Sequence, residues 1–420
     1  MRFGQVLSTA SRLVGSSLNV VPQFEELSSL RTTYEMNKML SNLCERMRSN
    51  GQEFDPASKL EPRRMHDSRS QILVPIASDP EARIRYISHS GAVRFGKLLE
   101  DMDMFSAWLG FLHNFGSVEA MEEEKPIRRA MVTACVDKID LQRNILSSER
   151  DMVLDGHIGY VGKTSVETIM RLFQEDGKGS MQQLLQAKFV MVSLDPLETK
   201  KTVPVHPMSR PSVEEAVIFN AGVMAFKDRK QADQYSLFLR PPVPEEIQLL
   251  HETFLNSLGK DEHTYGQRPT RSGDIYMMDT QLQTTKICFP ENKNIYGKIF
   301  GGFLMREAFE LASATSKFFC KKPTEVFAVD DIVFRRPVET GDTLIFTAWV
   351  TYTLQNCMQV RVEARVRNYD KEQTSNTFHF SFRTRDDSPV SAVVPNKYNE
   401  GMMMLNGRRH LLKSMAANLI

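Results

Sequence analysis

One short element occurs twice in this chain, and the two copies differ where they should match best. The stretch NIYGKIFGGFLM at 294–305 has a degraded copy in RFGKLLEDMD at 94–103. In each, a glycine opens an apolar run with helical spacing. Seven residues on from Gly302 stands Phe309, and seven residues on from Gly96 stands Asp103. The second copy keeps an amide, Asn294, and the first keeps an acid. A duplicated site whose copies have retained different residues is a statement about function, and the duplication itself calls for two similar folding units.

Composition narrows the possibilities. At 420 residues and 41% hydrophobic content, the chain can bury more than one core. Lys and Arg total 53 against 52 Asp and Glu. No global field therefore draws nucleic acid or an acidic membrane surface, and a polyanionic ligand needs a local basic pocket. The cysteines (Cys44, Cys135, Cys288, Cys320, Cys357) include no Cys-x-x-Cys pair. They suggest neither a disulfide framework nor a thiolate zinc site, and suit a reducing compartment. The histidines show no metal-ligand spacing, so no metal is expected, and no uncharged apolar run reaches the length of a membrane span. Residues 1–24 carry Arg2, Arg12 and many serines, with no acid before Glu25. That is the composition of a mitochondrial presequence, with an ordinary disordered amino terminus as the competing reading.

The rest of the chain divides into a polar helical lead (25–66, with Leu30, Tyr34, Met39, Leu40 and Leu43 at helical spacing), a first half (67–204), a connector (205–275), a second half (276–398) and a tail (399–420). Each half presents an extended segment, a glycine-led helix (about 98–111 and 303–318) and alternating strands. Shared landmarks follow, VDKI at 136–139 beside VDDI at 329–332, then strands at 155–161, 165–172 and 187–194 beside 343–350, 359–366 and 377–383. The first half holds a longer insertion that includes MEEEKP at 121–126.

One long helix followed by an antiparallel meander, twice, calls for an α+β fold in which each sheet wraps its own helix. That order, with Asn-x-x-Gly-x-x-x-Gly-Gly-x-Leu-Met at 294–305 and FRRPVETGD at 334–342 behind it, resembles the tandem hotdog fold of mitochondrial double-hotdog acyl-CoA thioesterases. The likeness covers both halves. It implies an enzyme that hydrolyses fatty acyl-CoA to free fatty acid and CoA in the mitochondrial matrix. Coenzyme A is then part of the substrate, no separate cofactor is needed, and the protein is expected to form a homo-oligomer, such as a trimer.

Thioester hydrolysis needs an activated water, a donor for the oxyanion and a cavity for the acyl chain. A first-turn N–H has no intrahelical partner and carries the positive end of the helix dipole, which makes Gly302 a candidate oxyanion donor with Gly301 beside it. In single-hotdog members of the family, the acid comes from one subunit's helix and the asparagine from the loop before the partner's helix. Carried over, the acid position falls on Asp103 and the asparagine position on Asn294. The complementary pair is lost, with Phe309 at the second acid position and Ser88 or His89 near the first amide position.

The resemblance thus implies one composite site, with Asp103 as general base or nucleophile and Asn294 orienting water or the carbonyl. Thr164 and Ser165 stand in GKTS at 162–165, which resembles the small-polar segment that approaches the pantetheine in this family, with a plain turn and strand start as the competing reading. Arg335 and Arg336 are candidates for the nucleotide phosphates, and strand alternation lets only one of them face a given side. Glu310 is the alternative catalytic acid. A rotation of about 100° per residue turns it away from the position of Phe309, and its spacing favours pairing with Arg306. Plainer readings stand beside these. Asp103 can complement the helix dipole, Asn294 can end a loop, and Phe105, Trp108 and Phe111 read as core. The alternative functions are a non-catalytic acyl-CoA sensor or scaffold, and a hotdog enoyl-CoA hydratase, whose Asp and His pair neither glycine-led helix offers.

Overall fold

Two long helices set the frame of this computed structural model, which describes residues 22–123, 125–142, 146–198, 200–232, 236–257, 273–294, 297–369 and 371–418. All but the last residues of the expected presequence lie outside that set. In chain order the helices are α1 (Thr33–Asn50), α2 (Pro80–Tyr86), α3 (Phe95–Phe115), α4 (Val118–Glu123), α5 (Val213–Ala232), α6 (Pro244–Ser257), α7 (Gly301–Cys320) and α8 (Tyr398–Asn418). The main strands are β1 (Ser70–Val74), β2 (Ala130–Leu141), β3 (Met152–Val161), β4 (Ser165–Glu175), β5 (Met181–Leu194), β6 (Leu282–Ile287), β7 (Thr324–Val333), β8 (Thr343–Leu354), β9 (Cys357–Asn368) and β10 (Lys371–Thr384).

These strands make one 10-stranded sheet in the order β1-β3-β4-β5-β2-β7-β10-β9-β8-β6. The α+β tandem hotdog expected from sequence is therefore present, with the helix α3 or α7 packed against the strands of its own half. The halves are not separate sheets, because β2 and β7 pair antiparallel along the seam. The landmarks at 136–139 and 329–332 meet there, Val136 opposite Ile332 and Ile139 opposite Val329. Equivalent residues exchange partners across the seam, which is the pattern of a local two-fold axis.

Helix α3 has 17 of its 21 residues buried, so it is enclosed on nearly every side rather than amphipathic at a surface. It ends where Gly116 adopts φ 87° and returns its N–H to the Leu112 carbonyl. Its apolar face meets β3 at Gly156, where an added Cβ would stand 2.8 Å from Leu109 Cδ1, 2.9 Å from Phe105 Cε1 and 3.1 Å from the Ile169 carbonyl. Helices α3 and α7 also pack against each other through their opening glycines. A Cβ on Gly96 would lie 3.3 Å from the Arg306 carbonyl, and one on Gly302 would lie 3.0 Å from both Asp103 Cβ and the Glu100 Cα. The glycines shared by the two sequence copies are thus the points of closest helix approach.

Three elements differ from the sequence reading. Helix α1 buries Thr33, Met36, Leu40, Leu43 and Met47, whereas Tyr34 is exposed. The capping box of Thr32 and Glu35 starts the helix at Thr33, so Leu30 precedes it and the buried face runs from Thr33 and Met36. Helix α5 was not expected within the connector. Its Val213, Val217 and Met224 are exposed and do not gather on one buried stripe, so periodicity gives little signal. The tail forms α8 over the outer face of the sheet, held to α6 by the two bonds of Arg409 to Glu246 at 2.6 and 2.7 Å. Among the described residues, no helix is long and apolar enough to cross a membrane.

The close approach at Gly156 makes a stability prediction. Gly156→Ala should destabilise the protein by about 1–3 kcal/mol through overpacking against α3 and the β4 backbone. Urea titration should show a lower midpoint with an unchanged slope, and an unaltered midpoint contradicts the packing described.

Candidate functional site

Asp103 sits at the crossing of the two central helices. Its side chain is buried, Oδ2 accepts the Gly302 N–H at 2.7 Å, and Oδ1 accepts the Thr133 hydroxyl at 2.5 Å. The carboxylate therefore faces the positive end of α7, where first-turn amides lack intrahelical acceptors. Burial pushes its carboxyl up to about 6, opposed by the Thr133 and Gly302 hydrogen bonds, and the negative charge of Glu100 adds to the rise. A carboxyl near that value is ionised at neutral pH and basic enough to take a proton from water.

Asp103 opens onto a cavity of about 1100 Å³ that is also lined by Asn294, Gly301 and Arg336. Asn294 shapes the turn that leads into α7. Its carbonyl accepts the Gly297 N–H at 2.9 Å, its side-chain oxygen accepts the Lys298 N–H at 3.2 Å, and Gly297 supports the turn at φ 73°. The acid of the first half and the amide of the second thus share one chamber. Gly302 is placed differently from its expected role, because its N–H is spent on Asp103. Gly301, the first residue of α7, lines the cavity and has no intrahelical acceptor for its own N–H.

The remaining candidates lie elsewhere. Thr164, Ser165, Arg335 and Glu310 are not among the residues that line this cavity. The Thr164 carbonyl accepts from Ser193, and Ser165 stands opposite Val192 in the β4–β5 ladder. Arg335 and Arg336 are both exposed, since they follow β7 rather than continue it and strand alternation does not govern them. Arg336 bonds Gln373. Glu310 pairs with Arg94 at 2.5 Å, not with Arg306, which turns instead to Glu100 at 2.9 Å and Glu307 at 3.4 Å. The reason is Gly96, whose missing side chain lets the start of α3 lie against α7 at Arg306 and Glu310.

At the position equivalent to Asp103, the ring of Phe309 packs on Phe95 at 5.0 Å, Phe380 at 5.6 Å and Phe382 at 6.0 Å between centroids. The counterpart of the site is an aromatic core. Ser88, near the first amide position, shares its hydroxyl hydrogen bond with Ser90 at 3.0 Å.

Sequence reasoning missed three participants. Thr133 lies beyond the long insertion, where the two halves lose their common spacing, so no pattern marks it. Glu100 is buried at the cavity and held by Lys97 at 3.2 Å as well as by Arg306. Lys97 also bonds Asp101 at 2.7 Å, and these two acids raise its pKa although burial alone would lower it. Helix α1, expected only to pack outside the first half, contributes a whole face to the cavity. Asp330, Asp331 and His410 come close enough to offer metal-ligand atoms. The Lys413 ammonium already lies 2.9 Å from Asp330 and 3.2 Å from Asp331, so this cluster reads as a balanced ion network.

A sequence model of the thioesterase superfamily matches residues 296–371. The human protein acyl-coenzyme A thioesterase 9, mitochondrial, is 39% identical over 353 residues, which is 84% of this chain and 78% of that protein. Mouse acyl-coenzyme A thioesterase 10, mitochondrial, is 36% identical over 367 residues, 86% of this chain and 82% of that protein. Among solved structures, an acyl-CoA hydrolase from Staphylococcus aureus in complex with butyryl coenzyme A is 23% identical, covers 35% of this chain and 93% of its own, and has a TM-score of 0.33.

The raised Asp103 carboxyl carries a stability cost of known sign. Its folded pKa of about 6 exceeds the ordinary 3.8, so stability present at pH 4 is lost as pH rises through 6, by about 3 kcal/mol in all. Asp103→Asn removes that titration. Denaturation at pH 7.5 should therefore show the variant more stable than wild type, with the gap closing toward pH 4. A gap independent of pH contradicts the buried, raised carboxyl.

Proposed function

Since the chain belongs to the acyl-coenzyme A thioesterase family and hydrolyses acyl-CoA to free acid and CoA, we propose that it does so at a single composite site built from both halves. Asp103 comes from α3, and Asn294 and the first turn of α7 come from the second half. The observation that supports this reading most directly is the 2.7 Å bond from the Gly302 N–H to Asp103, which joins the two halves at the acid.

In this mechanism the thioester carbonyl oxygen points at the start of α7, where the Gly301 N–H stabilises the developing oxyanion. Asp103, ionised at neutral pH and oriented by Thr133, takes a proton from a water as the water oxygen attacks the carbonyl carbon. Collapse of the tetrahedral intermediate breaks the C–S bond, and the departing thiolate takes the proton back from Asp103. Asn294 orients the water or the carbonyl from the loop that leads into α7. Water, acyl-CoA, free acid and CoA balance with no resident cofactor. Lys200, Lys293 and Arg336 at the cavity supply the local positive charge that a CoA nucleotide requires in a chain of almost no net charge.

Location and assembly belong to the same proposal. The relatives are named as mitochondrial, and residues 1–24 have the composition of a presequence, which together support a mitochondrial enzyme of the matrix. A homo-oligomer, with a trimer as the specific expectation, is carried over from the family resemblance.

The test is thiol release from a panel of acyl-CoAs by wild type, Asp103→Ala and Asn294→Ala. Asp103→Ala should lose about 10²–10⁴-fold in kcat/KM, the usual contribution of a general base. The wild-type profile should have an acidic limb near pH 6, the value to which burial raises Asp103. Thr133→Val should move that limb upward, because the hydroxyl stabilises the charged form. Full activity in folded Asp103→Ala sinks the composite site.

A further inference from the structure

We propose that α1, a helix outside both copies of the duplicated unit, forms a wall of the acyl chamber, and that its Leu40 and Cys44 limit the acyl chain the enzyme accepts. This rests on the composite-site reading above, which places the thioester at Asp103.

The burial pattern of α3 points to a chamber along one strip. Only Lys97, Met104, Ala107 and Phe115 of this helix are less than fully buried, and the first three line the cavity. With Asp103 and Phe111, they fall at the three- and four-residue spacing of one helix face. A residue of a central helix that is partly accessible without reaching the surface faces a space.

Helix α1 faces that same space. Its core face is Met36, Leu40, Leu43 and Met47. The face displaced from it by one residue, Asn37, Ser41, Cys44 and Arg48, lines the cavity together with Leu40 and Glu45. The two helices run side by side in the same sense. At their starts, the Thr33 hydroxyl meets the Tyr86 hydroxyl at 2.9 Å, and Tyr86 in turn donates to Asp101 at 2.6 Å. At their far ends, Arg46 donates to the Met121 carbonyl at 2.9 Å, just after α3 has finished. The cavity strips of α1 and α3 therefore run along each other rather than cross.

Chemistry assigns the contact to the acyl chain. Leu40 and Cys44 share the cavity with Met104, Ala107, Phe111 and Met131, all apolar. Cations line it as well, Lys200, Lys293, Lys298 and Arg336 on the loops around it, Lys97 at the start of α3 and Arg48 near the end of α1. Phe111 lies eight residues past Asp103, about 12 Å along the helix axis, which is room for an extended alkyl chain. Burial pushes the Cys44 thiol up to about 12, so it remains protonated and behaves as a small apolar side chain. A larger residue at this position takes volume from the distal chain and not from the reacting carbonyl.

The experiment compares kcat/KM for butyryl-, octanoyl- and palmitoyl-CoA in wild type, Cys44→Phe, Cys44→Met and Cys44→Ala, with thermal unfolding to verify the fold. The ratio of long-chain to short-chain kcat/KM should fall about tenfold or more in Cys44→Phe, less in Cys44→Met, and rise in Cys44→Ala. Equal loss at all chain lengths, or an unchanged ratio in the folded variants, overturns the proposal. Cys44→Met and Cys44→Ala decide it if Cys44→Phe does not fold. Asp103→Ala is run beside them. Activity that survives in Asp103→Ala removes the composite site, whereas a flat length profile in an active Cys44 series removes only the chamber wall.

Discussion

The structure depends on a carboxylate buried against the beginning of a helix it does not belong to. Asp103 of α3 reaches the Gly302 N–H of α7, and the approach is possible because residue 302 has no Cβ to stand between them. Three physical terms meet at that contact. Desolvation raises the carboxyl, the first-turn amide and the Thr133 hydroxyl pull it down, and the result is a group poised near 6. The same contact binds one half of the chain to the other at the centre of the molecule. Stability and function are in opposition here, because the charge that makes the acid useful is the charge that burial penalises.

The two-fold relation between the halves makes their differences meaningful. Gly96 and Gly302 do the same structural task, each admitting the body of the opposite helix. Beyond them the halves diverge. Where Asp103 meets a helix start and a cavity, Phe309 meets Phe95, Phe380 and Phe382. The arginine and glutamate that flank this aromatic cluster, Arg94 and Glu310, neutralise one another across the helix pair. An aromatic core at one end of the dyad can be packed without polar compromise, which helps a chain that carries a buried acid at the other.

Much of this was legible in the sequence because it is periodic or punctuated. The duplication, the glycine-led helices and the paired landmarks at 136–139 and 329–332 depend on local pattern, and the structure places them in equivalent positions. The neighbourhood of Asp103 and α7 was legible for a different reason, since the first copy had kept an acid and the second an amide. What stayed hidden depends on distance in the chain. Thr133 lies behind an insertion that destroys the common spacing, so its approach to Asp103 has no local signal. The partner of Glu310 was misjudged because helical spacing offers Arg306, while the tertiary crossing brings Arg94 closer. The face that α1 turns to the cavity lies one residue away from its core face, and apolar periodicity reports only the core.

The seam between β2 and β7 has a kinematic consequence. A ladder of main-chain hydrogen bonds joins the two halves of the sheet from Cys135 opposite Val333 to Asp140 opposite Ala328. The halves therefore cannot swing apart as two jaws around the acid without breaking that ladder. The acid on α3 and the start of α7 are held in one alignment by the continuous sheet against which both helices pack. The enzyme is in that sense a fixed vessel, whose reacting groups are aligned by the fold itself rather than assembled when substrate arrives.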